Sequence, residues 1–285
     1  MTGENFGRLH SRFLVDASKS SGAGVFSGSR QSIEVIDSSY AITYSIAALA
    51  SIGHENLDYG GNPPTRIDDI VWSIGTQFTP SPDLSLTVSY GQRNGVTSPF
   101  ASLLYNVTGR TSLSLSYSES IATTAQNIAN NLAVSTVNSF GQTIDSRTGL
   151  PIVLTNPVLG LQSGVFDTKQ LTATATTTWQ RDQLTALIYN YDSSVVGQTT
   201  PGSGVSQTAT GANLTWSREL NPLTTAYLGA GYAHINLGSP SNSREDLVNA
   251  GASLNYLFSS SLTGWASYSS WIVPRRNHSS GCWPT

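Results

Sequence analysis

The sequence predicts an all-β chain, an antiparallel up-and-down transmembrane β-barrel of about 11–12 strands, complete or lacking a strand. Three observations predict it: apolar residues recur at every second position over long runs, the connections fall into two length classes, and charge is scarce. Of 285 residues, 14 are Lys or Arg and 17 are Asp or Glu, 11% together, where a soluble domain carries about 25%. A chain this size can bury a large core, yet it has too few charges to cover itself with water.

The elements follow in order. Residues 1–38 hold no sustained period and read as an N-terminal segment, a weak strand or disordered. The run Ser20 to Gly28 is glycine-rich but lacks the Gly-Lys-Ser/Thr ending of a phosphate loop. The body, 39–271, begins with a strand over 40–53. It contains the longest apolar run, Ile46 to Ala50, far short of the ~20 residues of a membrane helix. A strand over 68–79 ends at Pro80-Ser81-Pro82-Asp83, whose prolines mark a turn.

The next strand, 84–92, is the clearest: Leu84, Leu86, Val88 and Tyr90 alternate with Ser85, Thr87, Ser89 and Gly91. A strand over 100–107 turns at Thr108-Gly109-Arg110 into 112–120, where Leu113, Leu115 and Tyr117 face away from four serines. Residues 167–179 put Leu171, Ala173, Ala175 and Trp179 on one side. Strands over 184–191 and 206–218 follow, the latter placing Ala212, Leu214 and Trp216 together. Residues 223–234, 246–258 and 262–271 complete eleven visible strands, and 272–285 is an irregular tail. Single-chain bacterial barrels are usually even, so one further strand is expected in 6–38 or beyond 271.

Short connections precede 84, 112, 184, 223 and 262, and each is followed closely by a leucine and then a hydroxyl residue. Long connections, 54–67, 93–99, 121–166, 192–205 and 235–245, alternate with them. Tight turns at one end and long loops at the other are how outer-membrane barrels are built. The 121–166 connection, with an alanine-rich half and an apolar, proline-marked half, is expected to fold inward as a plug or pack as a cap.

Aromatic positions agree with two membrane boundaries. Tyr90, Tyr117 and Tyr232 fall near the outer strand ends and Phe78, Trp179, Trp216 and Phe258 near the turns, the spacing of a lipid-facing girdle. The expected partner is therefore outer-membrane lipid. Two lysines, Lys19 and Lys169, and a net charge of −3 leave no basic surface for nucleic acid. One cysteine, Cys282, builds neither a disulfide scaffold nor a zinc site, and no cofactor motif occurs. The start lacks a basic stretch followed by an apolar one, so a mature form or fragment is expected.

One polar cluster has a chemical look: His54, Glu55 and Asp58, placed here at a loop, with Asp68 and Asp69 beyond. No metal-ligand spacing is matched, and solvated strand-exit charge explains it better. Four histidines and no G-x-S-x-G leave a serine-hydrolase reading third in order. The competing fold is a secreted Ser/Thr-rich sandwich or solenoid adhesin, whose turn lengths would not alternate and whose outer faces would carry more charge.

At residues 52–120 the motifs become familiar: Ile52-Gly53-His54-Glu55, Trp72-Ser73-Ile74-Gly75, Phe78-Thr79-Pro80-Ser81-Pro82, Tyr90-Gly91-Gln92-Arg93 and Tyr117-Ser118-Glu119-Ser120. Over roughly 40–270 the chain resembles the outer-membrane β-barrel proteins associated with PEP-CTERM/exosortase and exopolysaccharide loci of Gram-negative bacteria. The resemblance implies an outer-membrane location and a non-catalytic role as channel or scaffold in exopolysaccharide or surface-protein export, with polysaccharide as a partner. It implies no catalytic residue. Family chains usually continue further at the N-terminus and finish on an aromatic-ended strand, where this chain ends in Pro274 to Thr285, as a truncated or frame-shifted product would.

Overall fold

The computed structural model describes residues 2–19, 28–60, 64–93, 95–124, 135–137, 143–145, 164–196, 205–238, 242–259 and 262–272. Fourteen strands make one sheet in which every strand pairs with its neighbours in the chain: β1 (Thr2–Phe6), β2 (Leu9–Lys19), β3 (Arg30–Ala41), β4 (Ile46–Tyr59), β5 (Thr65–Ser81), β6 (Leu84–Arg93), β7 (Val96–Thr108), β8 (Thr111–Thr123), β11 (Val165–Thr178), β12 (Asp182–Val195), β13 (Gln207–Asn221), β14 (Thr224–Leu237), β15 (Arg244–Ser259) and β16 (Leu262–Ile272). A short hairpin of β9 (Ser135–Val137) and β10 (Thr143–Asp145) stands apart from it. All ladders are antiparallel, and none joins β16 back to β1 or β2 among the described residues. The sheet is an up-and-down meander left open at its two edges. No described helix is long and apolar enough to cross a membrane.

The expected strands are present, and the differences lie in number and ends. Three strands, β1, β2 and the body of β3, occupy residues 2–41 where one was expected. The expected strand over 40–53 is the end of β3 and the start of β4, separated by Ile42-Thr43-Tyr44-Ser45. That bend carries no glycine or proline. The Thr43 hydroxyl accepts the N–H groups of Ser45 and Ile46 at 3.2 and 3.0 Å and closes it instead.

Connections at one end are uniformly short: 7–8, 42–45, 82–83, 109–110, 179–181, 222–223 and 260–261. At the other end they vary, from 94–95 to 124–164. The expected long loops at 54–67 and 93–99 are mostly strand, because β4 runs on to Tyr59 and β7 begins at Val96. Apart from its ends and the β9–β10 hairpin, the expected plug or cap at 121–166 lies outside the described residues.

Strand alternation sorts the side chains into two rows. One cavity of about 380 Å³ is lined jointly from β2 through β7, including Arg12, Asp37, Ser51, Ser73, Thr87 and Phe100, so that row faces the concave side. The opposite row is convex and apolar: Ile52 is 63% exposed, Ile74 65% and Ile188 61%.

Candidate functional site

The convex row carries five of the seven aromatic positions, Phe78, Tyr90, Tyr117, Trp216 and Tyr232. Register places Phe78 beside Leu86, and Tyr90 beside Ile74, all on the convex side. Tyr117 pairs with Leu171, Trp216 with Leu184 and Leu228, and Tyr232 with Ala212 and Val248, again on that side. Trp179 closes the turn after β11, its N–H bonded to the Asp182 carbonyl at 2.7 Å. Phe258 stacks edge-on against Tyr256 at 4.7 Å. The sequence reading missed Trp72, whose ring meets Tyr90 at 6.2 Å and 67°, although its parity with Ile74, Thr76 and Phe78 was there to be followed.

The polar cluster is rearranged. It was placed at a loop, but His54, Glu55 and Asp58 all sit within β4, where alternation sends them to different faces. His54 and Asp58 are convex: His54 Nε2 lies 2.9 Å from Asp68 Oδ1, and Arg66 Nε donates to Asp58 Oδ1 at 3.2 Å. These pairs stand just past Ile52 and Ile70 on the same row, where an apolar belt gives way to charge. A matching pair occurs ten strands further along the sequence order: His234 Nδ1 lies 2.7 Å from Asp246 Oδ1, which also accepts the Tyr232 hydroxyl at 2.8 Å. No cluster of three or more metal-ligating side chains occurs among the described residues.

Glu55 is concave and fully buried. Its Oε1 accepts the Gly95 N–H at 2.9 Å and its Oε2 has no hydrogen-bond partner among the described residues. Above it Leu57, Tyr59, Ile121 and Val165 form a buried apolar cluster, with Ile67, Val96 and Val196 packed on it. Sequence reasoning missed this group. The signal was the continued period two of Glu55, Leu57 and Tyr59 against His54, Asn56 and Asp58.

The concave wall divides by charge. On β2 to β6 it holds His10, Arg12, Asp16, Asp37, Glu55, Asp69 and Arg93, with Arg12 Nη2 donating to Asp37 Oδ2 at 2.7 Å. On β7, β8 and β11 to β16 the described concave positions carry hydroxyl, amide, aromatic and small side chains and several aliphatic ones, among them Leu104, Leu187, Ile235 and Leu247, with charge only at Glu219 and Glu245 near the strand ends. Five serines, Ser112 to Ser120 at alternate positions, face threonines and Gln170 of β11 across one ladder. Side by side, Asn213 and Asn249 lean over Gly231 from the two flanking strands, where a Cβ would force their side-chain ends to shift.

With this geometry in view, the chain is similar to several solved outer-membrane proteins. It is similar to outer-membrane-expressed OmpT of Vibrio cholerae, with 11% identity and a TM-score of 0.41 over 95% of this chain and 90% of that one. OccAB4 of Acinetobacter baumannii gives 9% and 0.44 over 95% and 74%. OccK8 of Pseudomonas aeruginosa gives 10% and 0.44 over 95% and 75%. No family model and no curated protein sequence matches the chain.

Proposed function

We propose that the chain is a non-catalytic outer-membrane β-barrel of a Gram-negative envelope, serving as a channel or scaffold in the export of exopolysaccharide or surface protein. The observation that carries this reading is the inversion of the two rows. In a water-soluble sandwich the apolar faces meet inside, whereas here Ile52, Ile70, Ile74, Val88 and Leu214 are exposed on the convex side and serines and threonines line the concave one. A lipid ring gives those side chains an apolar solvent. It also accounts for the 11% charge, because the middle of the outer surface never meets water.

The uncharged arc of the inner wall supports passage or retention of a neutral, hydroxyl-rich polymer more than it supports ion selection. The export role itself rests on the resemblance of the 52–120 motifs. The decisive measurement is planar-bilayer conductance of the protein in its full natural length, with outer-membrane fractionation as the companion. Recovery in the outer membrane with stepwise conductance supports a channel. Recovery there without conductance leaves the scaffold arm, and recovery in a soluble fraction overturns the barrel.

A further inference from the structure

β5 continues upward from Val71 to Thr65 beyond its last pair with β6, Trp72 with Gln92. The β6–β7 hairpin therefore ends below the top of β5, and its tip turns in over the concave face. Gly95, at φ +72°, lies so close to Ile67 that a Cβ there would sit 3.1 Å from its side chain. From this position its N–H reaches across β5 to Glu55 Oε1 on β4. Around that contact the apolar cluster gathers side chains from β4, β5, β7, β8, β11 and the segment after β12. β4 and β8 are separated by three strands in the sheet, so the cluster joins strands that no ladder pairs.

Glu55 is an expensive way to make such a contact. It is 1% exposed, holds one N–H donor and leaves Oε2 without a partner among the described residues. A buried carboxylate so poorly compensated costs stability, and an apolar side chain would fill the same space without that penalty. Asp69, directly opposite in register on the same face, sets a second carboxylate beside it. Packing alone does not call for a carboxylate here; accepting a backbone N–H does.

We propose that Glu55 is a latch that holds the β6–β7 turn in the loop-side opening of the barrel, and that release of Gly95 opens the passage beneath. The proposal rests on the barrel reading above, and its test keeps the two separable. Val96→Cys, made in a Cys282→Ser background, reports the position of the turn through labelling by a membrane-impermeant maleimide in reconstituted vesicles, while conductance is read in parallel. Glu55→Gln keeps an acceptor oxygen and should label as slowly as the parent. Glu55→Ala removes it and should label about ten- to a hundredfold faster, the range of one lost charged hydrogen bond, with longer open times. Glu55→Asp, which withdraws the acceptor while keeping the charge, should fall between and serves if the alanine variant does not insert. Faster labelling without conductance in any variant would uphold the latch and count against a channel. Equal labelling of parent, Gln, Asp and Ala variants overturns the latch whatever the conductance shows.

Discussion

Val88 and Thr87 are neighbours on β6 that point to opposite faces of the sheet. Val88 lies on the convex row between Leu86 and Tyr90, while Thr87 lines the concave cavity. Arginine at Val88 is expected to cost about 2–4 kcal/mol if that site lies near the bilayer midplane, and arginine at Thr87 much less, as read by urea unfolding in vesicles. Equal costs would mean that the rows are wrongly assigned. This pair was legible in the sequence because eight residues alternate without a lapse. Glu55 was not. Its chemistry depends on Gly95, forty positions away, and a contact across an intervening strand leaves no local period to read.

Among elements, legibility followed how cleanly apolar side chains kept to one face. β6, β8 and β13 keep them on the convex row and were found with nearly correct ends. β3 does not: Ile33 and Val35 pack inward against Val71 while Ile36 and Tyr40 face out, and apolar residues on both sides erase the alternation. β4 changes its pattern part-way, with Ile46, Ala48, Ala50 and Ile52 convex beside a concave Leu49, and then Leu57 and Tyr59 concave, so its upper half looked like a loop. That change has an energetic signature. Leu57→Ala should destabilise by about 2–5 kcal/mol, because a fully buried side chain leaves a cavity. Ile52→Ala, whose side chain is 63% exposed on the convex row, should cost clearly less. Chemical unfolding of the two variants in the same vesicles compares them, and a larger loss at Ile52 would contradict the inward packing of the β4 tip.

For the molecule as a whole, composition and turn asymmetry were enough to indicate an up-and-down meander, and both follow from the proposed sheet with water at its ends and lipid around its middle. The strand count was not, because three N-terminal strands carry Arg12, Asp16, Lys19, Glu34 and Asp37 among their apolar residues. The ladder pattern has a bearing on how the chain assembles. Every pairing but one closes a connection of at most eleven residues; β8 with β11 alone spans 124–164. Local hairpins form fast and distant pairings pay a loop-closure penalty, so two blocks, β1–β8 and β11–β16, should mature separately and zip together last along thirteen residue pairs. A polypeptide severed within 124–164 should then still reassemble from its two halves, as judged by co-migration of the pair on a non-denaturing gel, whereas a cut at 109–110 should not be rescued. In kinetic terms the long connection is a tether between two folding units, and its length governs how soon they meet rather than how firmly they hold.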